Sequence, residues 1–299
     1  LLLDKPGFAN VWIDGLGMDP WGRKMSKSLG NGIDANSVLE CGSGGRTGSW
    51  KIKGTDGKQI HLKANKIGSE CFRLWKACDA QVGDDFHINP EEIEKKYFGV
   101  LTKLFNVARF ASQFEIPSNL DEEPEHLEPE DRWILAEFQN TMNTVQRSWS
   151  DLDIYTATQS LKTFGTGLLP SHYLEMVKSR LYDDDVAAAW TLHRVVRDFM
   201  AAFSPVCPFF THHISQTVYG ASAVDVDRFP SEAYSAVASG TEEGKRLCNL
   251  SSKIQEFNGA VWGAKKESGT SLNQPIEGIE IPQELAEFSH TLTQMHKLE

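Results

Sequence analysis

The residues of this chain with the clearest chemical potential are two lysines three positions apart, Lys24 and Lys27, within Gly22-Arg23-Lys24-Met25-Ser26-Lys27-Ser28-Leu29-Gly30-Asn31. An ammonium is a compact point charge with three donors. Beside it, the Ser26 and Ser28 hydroxyls and the backbone amides add further donors, so the string suits a polyphosphate. Gly22, Gly30 and Gly32 would let such a loop close over a ligand and reopen. Two lysines near two serines are, as a loose pattern, only a solvated polar loop. The complete string Lys24-Met25-Ser26-Lys27-Ser28 carries the functional reading.

The elements around this loop set its context. Phe8-Ala9-Asn10-Val11-Trp12-Ile13-Asp14-Gly15 reads as a short strand leading into it. Downstream, Trp50-Lys51-Ile52-Lys53 and Lys58-Gln59-Ile60-His61-Leu62-Lys63 alternate around Gly54-Thr55-Asp56-Gly57, which predicts a β-hairpin. Between Arg46 and Lys66 there are six basic residues against one acid, so the hairpin carries a basic face in a chain of net charge −11. From Asp121 to Asp131 seven acids and two prolines read as a solvated connector.

From Pro90 the apolar period is helical. Ile93, Tyr97, Leu101, Leu104, Ala108 and Ala111 form one stripe, and Ile134, Phe138, Met142, Val145 and Trp149 a second. Ile154, Ala157, Leu161, Phe164 and Leu168 form a third, and Ala189, Leu192, Val196, Phe199 and Phe203 a fourth, with Phe210, Ile214 and Val218 following. Such stripes predict an antiparallel bundle with one shared core, in which Phe105 and Trp149 are core residues. After Phe229-Pro230 comes a helix with Leu247, Leu250, Ile254, Phe257 and Val261. The alternating run Pro275 to Pro282 and a last helix would complete a small α/β unit.

At 299 residues, with 40% apolar and 24% charged residues, the composition is that of a folded chain of about two domains. Apolar runs are far too short to span a bilayer, so no membrane partner and a cytoplasmic location are expected. The five cysteines, Cys41, Cys71, Cys78, Cys207 and Cys248, form no Cys-x-x-Cys pair, and reduced, mostly buried thiols are expected. The nine histidines are scattered apart from His212-His213, and no metal site is expected.

Lys24-Met25-Ser26-Lys27-Ser28 resembles, without a substitution, the signature loop of class I aminoacyl-tRNA synthetases. Leu29-Gly30-Asn31-Gly32-Ile33-Asp34 and Gly68-Ser69-Glu70-Cys71-Phe72-Arg73-Leu74-Trp75 are similar to segments of the valyl, isoleucyl and leucyl subgroup. Lys103-Leu104-Phe105-Asn106-Val107-Ala108-Arg109-Phe110, Asp131-Arg132-Trp133-Ile134-Leu135 and Tyr173-Leu174-Glu175-Met176-Val177-Lys178-Ser179-Arg180-Leu181 resemble its valyl members in wording and order. Pro208-Phe209-Phe210-Thr211 and Phe229-Pro230 fit the end of the same bundle. Three departures stand out: Ala35 where proline is usual, His172 where tryptophan is common, and the basic hairpin inside a stretch that many members make continuous.

The resemblance implies a mainly α chain. Residues 1–89 would be the C-terminal end of a Rossmann-type catalytic domain with the hairpin, 90–230 an antiparallel anticodon-binding bundle, and 231–299 the small C-terminal α/β unit. It implies a valine–tRNA ligase reaction using ATP with Mg2+, in which Lys27 and Lys24 hold the departing pyrophosphate. Ser26 and Ser28 would shape the loop, and Met25 would seat it. No His-x-Gly-His element occurs in the chain, so the valine pocket and most of the ATP site would lie in an N-terminal part, and the chain alone should be inactive. The implied partner is tRNA for valine, with Lys103, Asn106, Arg109, Lys178 and Arg180 as contacts on the helices and Lys51, Lys53, Lys58 and Lys63 on the hairpin. A monomer is expected. An isoleucyl or leucyl enzyme, or a helical RNA-binding module without catalysis, are the alternatives.

Overall fold

In the computed structural model, residue 7 and residues 10–34, 36, 48–64, 67–220, 234, 237 and 241–299 are described. Expectations resting on Phe8, Ala9, Ala35, Cys41, Arg46, Lys66, Phe229 and Pro230 lie outside the described residues, as do the side chains of Trp50, Lys51, Leu62 and Lys63. Contacts divide the chain into two compact units, Leu1–Leu101 with Asp151–Thr158, and Thr102–Ser150 with Gln159–Glu299.

The first unit contains β1 (Gly17–Met18), β2 (Gly48–Lys53), β3 (Gln59–Ala64), α1 (Gly68–Asp79), β4 (Phe86–His87) and α2 (Pro90–Ile93). β1 and β4 pair in parallel, Gly17 opposite Phe86 and Met18 opposite His87. The strand expected over Phe8–Gly15 is corrected: in its described part only Asp14 makes an isolated bridge, to Val82, and regular pairing begins at Gly17. Gly15 explains the delay. A Cβ there would lie 1.9 Å from the Asp84 carbonyl oxygen, and the next amide, Leu16, donates to the Asp85 carboxylate at 2.7 Å rather than to a strand.

The hairpin forms as its sequence predicts, with β2 and β3 antiparallel. Ser49 faces Lys63, Lys51 faces His61 and Lys53 faces Gln59, so all three strand lysines occupy register positions of one face. Ile52, on the other face, is buried, as are Ala64, Ile67, Leu74, Trp75 and Cys78. Asn89 caps α2 by accepting the Glu91 amide, with Pro90 at the first helical position. The helix continues through a π-helical stretch, Glu94–Phe98, into α3 (Gly99–Ala111).

The second unit is helical: the rest of α3, α4 (Pro129–Ser150), the end of α5 (Ile154–Thr163), a π-helical segment Phe164–Tyr173, α6 (Leu174–Tyr182), α7 (Val186–Phe203), α8 (Pro208–Tyr219), α9 (Glu242–Glu267), a 3-10 turn Gln283–Phe288 and α10 (Ser289–His296). Phe138, Phe164, Phe199 and Phe203 form a run of ring contacts in the core. Trp133 Nε1 donates to Ser251 Oγ at 2.7 Å and ties α4 to α9.

Three expectations change here. Leu169, rather than Leu168, is the buried residue of the third stripe, because the π-helical segment inserts extra residues per turn and shifts the period. The run Pro275 to Pro282 is no strand: Ile276 makes one isolated parallel bridge to Leu298, and Gly278 adopts φ +76° between flanking prolines. Finally, the acidic connector ends in core. Glu130 and Asp131 are 1% and 0% exposed and open α4 against Arg180.

Candidate functional site

The loop with the two lysines is anchored by three buried or half-buried side chains. Asp19 and Asn31 are each fully buried. The Asp19 carboxylate accepts the Trp21 amide at 3.1 Å, the Arg23 amide at 2.9 Å, Arg23 Nε at 2.7 Å and Asn31 Nδ2 at 2.9 Å. Burial by itself would raise this carboxyl. The hydrogen bonds from Asn31, Arg23 and Trp21 outweigh it and hold the pKa below the usual carboxylate value. Gly22 turns the chain with φ +78°, and its amide donates to the Asp19 carbonyl at 2.9 Å.

Asn31 then closes the loop from its far end. Its Oδ1 accepts the Ser26 amide at 2.9 Å and its Nδ2 also reaches the Lys24 carbonyl at 3.2 Å. Lys24 bridges Met18 in antiparallel sense, and the Met25 amide donates to the Gly17 carbonyl at 2.9 Å, so this side of the loop pairs alongside β1. Ser26 Oγ accepts the Leu29 amide at 3.2 Å and lies 3.2 Å from Ser28 Oγ. Met25 and Ser26 are half-buried, while Lys24, Lys27 and Ser28 are exposed. Neither ammonium has an ion-pair partner among the described residues. The backbone is therefore held from inside while the charge faces out.

The hairpin is fastened to this loop. Arg23 Nη2 donates to the Lys53 carbonyl at 2.5 Å and Nη1 to the Gly54 carbonyl at 3.1 Å, and the Lys53 amide donates to the Gly30 carbonyl at 3.1 Å. Asp19, Arg23 and Asn31 stand inside or beside the motif that the sequence singled out, yet nothing in their types assigned them this role. The one local signal was Asp19-Pro20-Trp21-Gly22, a turn signature.

Among the other predicted contact residues, Lys103, Asn106 and Arg109 are exposed on α3, and neither cation has an ion-pair partner among the described residues. Phe105, expected in the core, is 42% exposed beside them. Lys53 and Lys58 are exposed, Lys58 with a loose pair to Asp56 at 3.7 Å; Lys51 and Lys63 are placed by register alone. Lys178 pairs with Glu175 at 3.2 Å on the surface, a contact that solvent keeps weak. Arg180 differs. Its side chain is 15% exposed and meets Glu130, Asp131 and Asp185 at 2.8, 2.8 and 2.9 Å. Its guanidinium is spent inside the unit, which corrects its reading as an RNA contact.

Among the described residues Cys71, Cys78, Cys207 and Cys248 form no disulfide. Burial pushes Cys71 and Cys248 up to about 12, so neither is a nucleophile at neutral pH. Among the described residues no cluster of three His, Cys, Asp or Glu side chains could hold a metal, and no helix is long and apolar enough to cross a membrane.

Comparison with known proteins accords with this geometry. Residues 2–89 match the family described as tRNA synthetases class I (I, L, M and V), and residues 131–281 the anticodon-binding domain of tRNA ligase. The valine–tRNA ligase of Aeropyrum pernix is 31% identical over 99% of this chain and 33% of its own length. That of Pyrobaculum aerophilum is 30% identical over 100% of this chain and 34% of its own. The chain thus spans about a third of the curated relatives it matches. Among solved structures, Agrobacterium radiobacter LeuRS, in a ternary complex with tRNA and LeuAMS, shares the fold: TM-score 0.50 and 17% identity over 78% of this chain and 24% of that one.

Proposed function

Since the chain belongs to the class I tRNA synthetases, within the valine–tRNA ligase family, we propose that it is the part of such a ligase that grips the leaving diphosphate of ATP and holds tRNA for valine. In that reaction the valine carboxylate attacks the α-phosphate in line and pyrophosphate departs. The adenylate then acylates the terminal ribose of the tRNA, releasing AMP. Negative charge gathers on the leaving group, and Lys27 and Lys24 lower the barrier by meeting it more strongly in the transition state than in the ground state. Mg2+ carried by the nucleotide's phosphates would share that charge; Asp19, the buried carboxylate behind the loop, is already committed to Arg23 and Asn31.

The single observation that carries this reading is the intact loop with both ammonium groups exposed and its backbone pinned from behind by Asn31. In the second unit, Lys103, Asn106 and Arg109 supply the charge and carboxamide that a single-stranded RNA loop requires, with Phe105 offering a ring for stacking. The relatives are three times longer, so adenylate formation is assigned to the full-length ligase rather than to this chain alone.

Two experiments test it. In the full-length protein, Lys27→Ala should cut ATP–pyrophosphate exchange by roughly 100-fold or more, with Lys24→Ala next in effect; an undiminished rate removes the role. Filter binding of the chain to tRNA transcripts differing only in the anticodon should favour valine. Preference for isoleucine or leucine would move the chain to another member of the subgroup.

A further inference from the structure

Resting on the role proposed for Lys24 and Lys27, we infer that Arg23 is a positioning residue for the adenylate-forming step and acts through the hairpin: by gripping the hairpin backbone it fixes both ends of the lysine loop before any tRNA is bound. The hairpin is then part of the apparatus that forms the adenylate. Its bonds to the loop run through main-chain groups, so they leave its lysine side chains uncommitted.

One hairpin residue closes the loop at both ends. The Lys53 carbonyl accepts Arg23 Nη2 at 2.5 Å on the amino side of the loop, and the Lys53 amide donates to the Gly30 carbonyl at 3.1 Å on the carboxyl side. Residues 24–29, with both ammonium groups, lie between these two points. Antiparallel pairing makes Lys53 available for this. The Gly54 amide donates to the Lys58 carbonyl at 2.8 Å, and inward and outward groups alternate along such a pair, so the Lys53 amide and carbonyl point away from β3. Gly30 adopts φ +65°, and its amide donates to the Lys27 carbonyl at 3.2 Å, which joins the second lysine to the same closure.

Arg23 suits this role by the shape of its fork. Nε and Nη2 both meet Asp19 Oδ2 at 2.7 Å, while Nη1 donates to the Gly54 carbonyl at 3.1 Å. A planar guanidinium can join a carboxylate to two carbonyls at once, whereas an ammonium is a point charge that cannot hold all three in place. Neither end of this bridge is loose. Asp19 is fully buried and also accepts Asn31 Nδ2 at 2.9 Å. On the hairpin side the Gly54 carbonyl accepts the Gly57 amide at 3.1 Å, Asp56 Oδ1 accepts the Lys58 amide at 3.0 Å, and a Cβ on Gly54 would lie 2.6 Å from Ile60 Cδ1. Ile52, opposite Ile60 in register, is buried and seats the strand. The leaving diphosphate is stabilised most by donors already in place, since donors that must first be ordered lose part of their effect.

The test is ATP–pyrophosphate exchange by the full-length ligase without tRNA. Arg23→Lys keeps a cation beside Asp19, which protects the fold, but loses the fork. Lys53→Pro removes the amide that Gly30 accepts, at a position whose amide is no part of the ladder between β2 and β3. Each should lower kcat about tenfold while the KM for ATP moves by less than about threefold, the pattern of a group whose effect is felt in the transition state. Added to Lys27→Ala, Arg23→Lys should cost less than about a further threefold, because the group it positions is gone. Unchanged kcat in either single variant, or a loss that multiplies fully with that of Lys27→Ala, as for a merely structural arginine, overturns the inference. If Lys27→Ala and Lys24→Ala themselves leave exchange undiminished, the proposed role of the loop fails first and Arg23 has nothing to position. Circular dichroism of both single variants, expected to match that of the parent, separates lost positioning from lost fold.

Discussion

Replacing Arg180 by methionine isolates the largest charge commitment in the second unit. The guanidinium meets Glu130 and Asp131, which are 1% and 0% exposed, and also Asp185 at the start of α7. Removing one partner of a buried pair, rather than both, typically costs about 3–5 kcal/mol because it strands the remaining charge. For a unit of this size that corresponds to a fall in Tm on the order of 10 °C. The deficit should also depend on pH in a definite direction. Burial pushes Asp131 up to about 6, against the pull of Arg180 and the hydrogen bond from Tyr173 Oη at 2.8 Å. A carboxyl raised in the folded state takes its proton before the unfolded one does, so its unfavourable contribution at pH 7 fades as pH falls through about 6 towards 4. Without Arg180 that relief grows, and the gap between variant and parent should narrow between pH 7 and pH 5.5. Urea unfolding at the two pH values reads this directly. Equal midpoints at pH 7, or a gap that widens on acidification, would refute the assignment. Were Arg180 instead a phosphate contact, the variant would keep its stability and lose about one unit from the salt slope of tRNA binding.

Three further changes test other parts of the structure. His296 is buried, its Nε2 2.7 Å from Asn258 Oδ1, and burial together with the Lys265 ammonium and His172 lowers its pKa to about 4. Its folded-state pKa lies below the unfolded value, so stability present above pH 6.5 is lost as pH falls towards 4; His296→Gln should flatten that limb of the urea-midpoint profile by up to about 3 kcal/mol. Asn31→Ala strands the Ser26 amide and one oxygen of Asp19, and should cost about 1–3 kcal/mol. Hydrogen exchange should accelerate at Ser26 and its neighbours while α1 stays protected. Gly165→Ala forces a methyl against Phe199 and Leu104 and should destabilise by about 1–3 kcal/mol in thermal melts.

What could be read ahead of the structure depended on whether a residue's type determines its partner. Apolar stripes do: Ile93, Tyr97, Leu104, Ala108 and Ala111 are buried as their spacing requires, and Asp56-Gly57 turns the hairpin it predicts. The period misleads where the backbone changes its own pitch, as at Leu168 and Leu169, since Pro170 acts on the coil rather than on the stripe. Alternation likewise failed at Pro275 to Pro282, because a strand needs a partner edge and, among the described residues, only Leu298 supplies a single bridge. Charge is the least legible signal. Lys27 and Arg180 are both cations within recognisable strings, yet one faces solvent and the other serves three carboxylates, two of which lie some fifty residues away in a stretch that reads as solvated connector. The same holds behind the lysine loop. Its lysines are exposed and stand within a contiguous string, whereas Asp19, Arg23 and Asn31 act by closing a buried network with each other and with Lys53 and Gly54, about thirty residues on. A motif therefore names the exposed groups of the loop, and only the fold names those that hold them still. Asn31 joins the two kinds: its amide partners fix where Lys24 begins and Ser26 turns, so the spacing between the lysines matters only while that carboxamide is in place.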